Sequence, residues 1–274
     1  MPMKRRITQI VSTVVHNLYF TGFVSVTLYQ GVFKSFCGPG FNCYACPAAT
    51  FSCPIGALQH FGVVRQFPLF LAGFLGLVGM GVATFTCGWL CPFGFFQDMM
   101  KKISKRVVQI PPRLTYLRYA FLVVPAILLP VFLGDLWFSK ICPAGGIEGA
   151  LPWVFMDTSR SDLLTGMQVR PLIGDMFWIK MAILAGFLIA MVFVKRPFCR
   201  LMCPLGAILS LFNRLSILRL QVDMSACTEC GLCHKKCPVD IYPYSQVESH
   251  TCIKCLECTK CPEGAIKLKV VLGR

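Results

Sequence analysis

The chain has 274 residues, of which 55% are apolar and only 14% charged, and its 27 Lys and Arg against 12 Asp and Glu leave a formal charge of +15. Soluble domains carry about a quarter charged residues, so this composition, with a mean hydropathy of +0.65, excludes an ordinary water-soluble globular protein. The 17 cysteines belong to a chain too long and too apolar for a small secreted disulfide scaffold, which leaves metal or cluster ligation.

In chain order, no charge falls between Arg6 and Lys34 or between Arg65 and Asp98. Each interval can hold the ~20 apolar residues of a membrane-crossing helix. A third candidate, Leu114 to Leu133, carries Arg118 near one end and Pro125 and Pro130 inside; a fourth, Met176 to Val194, carries Lys180. Basic side chains near span ends can snorkel to the headgroups. Lys4, Arg5 and Arg6 precede the first span, Lys101, Lys102, Lys105, Arg106, Arg113 and Arg118 lie between the second and third, and Lys195, Arg196, Arg200, Arg214 and Arg219 follow the fourth. The opposite loops mix Lys34, Arg65, Lys140, Arg160, Arg170 and Lys180 with five carboxylates, Asp162 among them. The positive-inside rule puts both termini in the cytoplasm of a multi-pass protein of the inner membrane. A cleaved signal peptide is the alternative for the first stretch, but no A-x-A site follows it. The basic excess is explained by anionic lipid at the inner face, without nucleic acid.

The cysteines repeat with the spans. Cys87-Gly-Trp-Leu-Cys91-Pro-Phe-Gly follows the second span and Cys199-Arg-Leu-Met-Cys203-Pro-Leu-Gly the fourth, both C-x3-C-P-x-G. Each leads into an amphipathic stretch, Phe95 to Ile110 and Ala207 to Leu220, expected to lie along the inner membrane surface. On the outer side Cys53-Pro-Ile-Gly corresponds to Cys142-Pro-Ala-Gly. Two such units of equal topology imply a pseudo-two-fold axis along the membrane normal. That axis would bring Cys87, Cys91, Cys199 and Cys203 together, the four thiolates a [4Fe-4S] cluster needs. Gly73, Gly76, Gly79 and Gly81 are read as helix-packing positions.

Beyond Leu220 the apolar runs stop. Cys227-x2-Cys230-x2-Cys233-x3-Cys237-Pro is the bacterial ferredoxin run, whose fourth Cys serves the other cluster. The second run, Cys252-x2-Cys255-x2-Cys258-x2-Cys261-Pro, is one residue short before its last Cys. By exchange, cluster 1 takes Cys227, Cys230, Cys233 and Cys261, and cluster 2 takes Cys252, Cys255, Cys258 and Cys237. Two rivals are the Cys230-Gly-Leu-Cys233-His234 match to c-type haem attachment and structural zinc. The haem motif is embedded in a complete ferredoxin run, and eight cysteines with Cys-Pro endings stand against zinc. The Cys-Pro-x-Gly turn of Cys261 and Cys203 recurs at Cys53 and, relaxed, at Cys142, so an outer cluster on Cys43, Cys46, Cys53 and Cys142 is expected, with Cys37 spare. Disulfides in an oxidising compartment are the alternative.

The two C-x3-C-P motifs after spans, with the two-cluster tail, resemble the NapH/MauN-type membrane polyferredoxins and more distantly the membrane half of NosR-type proteins. The resemblance implies an electron-transfer subunit, linked to quinol oxidation and to reductases or FMN-bearing partners, with the redox positions at Cys87, Cys91, Cys199, Cys203 and the eight tail cysteines. The expected fold is mainly α: residues 1–220 as four transmembrane helices in two pseudo-symmetric halves, and 221–274 as a cytoplasmic α+β ferredoxin-like domain. The expected function is an iron–sulfur electron conduit between a cytoplasmic partner and the quinone pool or an outer partner. The alternatives are a quinol oxidoreductase with its own membrane site, for which His16, His60 and Asp98 are the candidate protonatable groups, and a redox maturation or regulatory factor. No nucleotide or flavin fingerprint is present.

Overall fold

The computed structural model describes residues 3–157 and 173–271; the outer-loop charges Arg160, Asp162 and Arg170 lie outside the described residues. Helix α1 (Met3–His16) buries Arg5, Gln9, Ser12 and His16, spaced four, three and four apart on one face. Its apolar side chains, Ile7, Ile10, Val11, Val14 and Val15, point outward instead. This polarity is the reverse of a soluble helix and suits a lipid exterior around a polar interior.

The chain continues through α2 (Pro54–Val63), α3 (Leu69–Gly81) and α4 (Pro92–Met100). Next is a helical run α5 (Pro112–Leu133), followed by α6 (Asp175–Phe193) and α7 (Pro204–Leu211). Within α5 a π-helical segment, Val124–Leu128, takes in Pro125, whose missing N–H would leave a gap in a regular α-helix ladder. Strands β1 (Leu218–Val222) and β2 (Ile266–Val270) pair antiparallel, Leu218 opposite Val270 and Val222 opposite Ile266.

Among the described residues, α5 with 22 residues and α6 with 19 are long and apolar enough to cross a membrane. The other two expected spans are shorter helices. α1 stops at His16 after 14 residues, and the chain end there is held by the later segment around Ala48: Tyr19 N–H donates to Ala48 O at 3.1 Å and Thr50 N–H to His16 O at 3.0 Å. α3 has 13 residues and breaks before Ala83, which adopts φ +49°. Absence of charge reports compatibility with lipid and says nothing of helix length.

The two stretches after the C-x3-C-P motifs begin in the core and then emerge. α7 buries Pro204, Leu205, Gly206, Ala207, Leu209 and Ser210, and α4 buries Pro92, Phe93, Gly94, Gln97 and Asp98. Lys102, Ile103 and residues 105–109 beyond α4 are exposed, as are Leu211 at the end of α7 and Arg214 and Leu215 beyond it. A cysteine caps each N-terminus, so both helices start in the core. Of the four glycines in and after the second interval, only Gly79 serves close packing: a Cβ there would stand 2.6 Å from the Phe212 ring, whereas Gly73, Gly76 and Gly81 face open space.

Candidate cluster sites

The inner site is built twice from one turn. Cys91 and Cys203 are the N-cap residues of α4 and α7, each followed by proline in the first helical turn, where the missing N–H is harmless. Each sulfur accepts from the backbone N–H three residues on, Gly94 to Cys91 Sγ and Gly206 to Cys203 Sγ, both at 3.3 Å. Cys91 Sγ also accepts from Phe41 N–H at 3.4 Å, and Gln97 Nε2 donates to Cys199 Sγ at 3.1 Å. Cys87 and Cys199 stand on the short helices Phe85–Trp89 and Pro197–Leu201 just upstream. All four cysteines face one buried cavity of about 450 Å³.

A buried ion network braces this site. Asp98 receives Arg196 at 2.7 and 2.6 Å and Arg5 at 2.8 Å. Arg196 reaches on to Cys87 O at 2.9 Å, and Arg5 to Gly88 O at 2.9 Å and to Glu257 at 3.3 Å. Two guanidiniums against two carboxylates neutralise one another, the condition on which buried charge is tolerated. Asp98 is therefore held as a counter-ion, and this is its evident role.

In the C-terminal unit, Cys227, Cys230, Cys233 and Cys261 line one cavity of about 420 Å³ together with Cys258. Cys237, Cys252, Cys255 and Cys258 line a second of about 320 Å³. The structure thus brings together the members of each expected quartet, Cys261 among them, with Cys258 on the wall between the two cavities. Burial pushes the Cys252 thiol up to about 11 and Cys255 to about 12, so without iron both stay protonated at neutral pH. The unit docks on the inner site. A Cβ at Gly88 would stand 2.5 Å from Ile253 O, Thr84 Oγ1 donates to Cys252 O at 2.7 Å, and Arg118 donates to His250 O at 2.5 Å.

The outer cysteines divide. Cys43, Cys53 and Cys142 line a cavity of about 970 Å³. Cys53 and Cys142 repeat the extended N-cap conformation with proline following, and Glu148 Oε2 accepts from Cys43 N–H at 2.6 Å. Cys46, the expected fourth member, does not line this cavity. The turn closed by Cys46 N–H to Cys43 O at 3.2 Å carries its side chain away, to pack with Ala48 and Ala49 and to face Asn17 Oδ1 at 3.8 Å. Cys37 is buried apart from the cavity, and all 17 cysteines are free thiols.

A family model described as "4Fe-4S binding domain" matches residues 66–111 and again 176–221, the two C-x3-C-P halves, and a second model of that description matches 220–242. Among curated relatives, the regulatory protein NosR of Pseudomonas aeruginosa is 27% identical over 73% of this chain. The methylamine utilization ferredoxin-type protein MauN of Methylobacillus flagellatus is 24% identical over 74%. The chain thus carries 4Fe-4S binding domains and is similar to NosR- and MauN-type proteins. An uncharacterized protein of Methanocaldococcus jannaschii is 29% identical over 76% of this chain and 85% of its own length. The chain spans 67% of that MauN but only 27% of that NosR. No solved structure matches it.

The residues that sequence reasoning missed are the walls between cavities. Cys258 lines both cavities of the C-terminal unit, Ile253 lines the nearer of these and the inner cavity, and Phe41 lines the inner and the outer. Phe41 sits in an aromatic cluster, its ring centroid 5.2 Å from Phe198 and 6.3 Å from Phe93. Neither candidate histidine enters a cavity with the cysteines. His16 Nδ1 lies 2.7 Å from Ser12 O within α1, and His60 is exposed beside Phe61.

Proposed function

We propose that this protein is a membrane-embedded electron relay with four iron–sulfur centres in one row. The carrying observation is that the four cysteine-lined cavities form a continuous series, each sharing one wall residue with the next: Cys258, then Ile253, then Phe41. The donor sets fit such centres, with buried thiols in groups and backbone N–H groups aimed at Cys91 and Cys203 sulfurs. The clusters supply one-electron transfer over a wide range of potentials. The chain's own residues set the spacing, exclude water and direct N–H dipoles and the Arg118 and Arg196 charges at the thiolates.

Four membrane-crossing segments fit this reading, two as α5 and α6, and two as α1 and α3 extended by irregular chain. Non-helical backbone is tolerated at membrane depth where it lines a protein interior, and the segment 37–53 does so around the cavities. Its inward course also answers the distance problem, since a ~30 Å bilayer core is too thick for one tunnelling step. Both termini and the ferredoxin unit then face the cytoplasm. Partner redox subunits, bearing flavin or drawing on quinone, exchange electrons at the two ends.

The test is directional. In proteoliposomes with the ferredoxin unit outside, dithionite, which does not cross the bilayer, should bleach every centre of the wild type. In Cys199→Ala, expected to fall from about 16 iron to about 12, it should bleach only the ferredoxin centres. Bleaching of the outer centre in that variant would end the linear relay.

A further inference from the structure

We propose that the outer centre is a [4Fe-4S] cluster held by three thiolates, Cys43, Cys53 and Cys142, whose fourth iron faces the cavity and takes a small anionic donor ligand in place of a protein thiolate. The inference rests on the reading of the outer cysteines as a cluster site and changes what that site can do. A centre with four cysteines only passes electrons; one with an open iron binds a ligand as well.

Three observations carry it. Every other cavity of the series is lined by at least four cysteines, whereas the outer one has three, and Cys46 is seated elsewhere against Ala48, Ala49 and Asn17. Among the described residues no His, Asp or Glu lines it to replace the missing thiolate; the neighbouring Glu148 carboxylate is engaged by Cys43 N–H at 2.6 Å.

The second is room. Mouths included, the four-cysteine cavities hold between about 320 and 450 Å³ and the more open outer one about 970 Å³; the space that a water molecule's centre can occupy is about 20 Å³ in each of the former and about 320 Å³ in the latter, so a cluster of the same size leaves space beside it. Glycine keeps that space open: a Cβ at Gly149 would stand 3.4 Å from Cys43 Sγ, and one at Gly145 3.7 Å away.

The third is charge. Lys180 projects from the apolar helix α6 into the wall of this cavity, and its ammonium, a three-donor group, makes one hydrogen bond among the described residues, to Ser139 O at 3.1 Å. A cation inside a membrane-type helix marks a functional site by default. Its charge on the cavity wall favours an anion inside.

The test uses the full chain, purified anaerobically in detergent, with cyanide as the small anionic probe. Cys46→Ala should keep the wild-type iron content of about 16, and Cys53→Ala should lose about four. Cyanide should change the electron paramagnetic resonance signal of the reduced outer centre in wild type and Cys46→Ala, with a weaker apparent affinity in Lys180→Met. Loss of about four iron in Cys46→Ala, or a signal indifferent to cyanide, would overturn the three-thiolate assignment while leaving an outer cluster in place. A wild type with only about 12 iron would remove the outer cluster itself.

Discussion

The inner and outer Cys-Pro sites start from the same local chemistry and end differently. In both, an extended cysteine caps a short helix whose first residue is proline. At the inner site two complete C-x3-C-P copies meet, so four sulfurs close a cavity of about 450 Å³. At the outer site the two halves contribute unequally. One gives Cys43 and Cys53, the other Cys142 alone, and the cavity is about 970 Å³. Duplication supplies the turn at each place; only where the flanking residues are duplicated too does it supply a closed ligand set.

The strongest way to break this comparison is to remove the inner brace. Asp98→Ala leaves Arg5 and Arg196 buried without their shared counter-ion, which should cost about 3–5 kcal/mol. Thermal unfolding in detergent should fall accordingly, with inner iron lost before outer iron; an unchanged midpoint would mean that the network is not holding the site. Next in size is Gly79→Ala, whose Cβ would meet the Phe212 ring and should cost about 1–3 kcal/mol by overpacking. Gly73→Ala, facing open space, is its control and should be neutral or slightly stabilising. At the outer site, Glu148→Gln keeps an acceptor for Cys43 N–H and should cost only about 1 kcal/mol, so the two braces differ by severalfold. Urea midpoints of the two variants compare them directly.

Iron removal sharpens the contrast with the ferredoxin unit. Burial raises the Cys252 and Cys255 thiols above their ordinary value of 9.0, so the apo form binds protons that the unfolded chain has released. The stabilisation is complete below about pH 9 and is lost as pH rises toward about 11. Apo protein should therefore unfold more readily across that window, and the iron-loaded protein should not. Equal alkaline sensitivity of both forms would contradict thiol burial as the cause.

The grouping of cysteines in the tail and at the inner site was legible because spacing carries it. Cys227-x2-Cys230-x2-Cys233 and the repeated C-x3-C-P each place sulfurs by local backbone geometry, and the structure groups them as spacing predicts. Cys46 misled for the opposite reason. Its C-x2-C spacing from Cys43 looks like a ligand pair, and the two side chains do pack together, but only Cys43 lines the outer cavity. The first span misled because an absence of charge between Arg6 and Lys34 does not register that the helix ends at His16. Phe41 and Ile253 were invisible because a wall between two cavities is a tertiary property, and nothing in an isolated Phe or Ile announces it. The polar stripe Arg5, Gln9, Ser12, His16 was readable at helical spacing, yet its meaning depended on knowing that the outside is apolar.

The Phe41 segment also constrains how the protein is made. Its N–H reaches Cys91 Sγ at 3.4 Å, and Pro39, Gly40 and Phe41 wall the inner cavity while Cys43, two residues on, belongs to the outer one. Seating this loop thus closes one pocket and shapes the other in a single event. Cluster insertion at the inner site must come before the loop is seated, or the loop must lift for it. Biogenesis is then ordered by the chain itself, and a loop tethered shut too early would trap a protein that is folded, membrane-inserted and short of its inner iron.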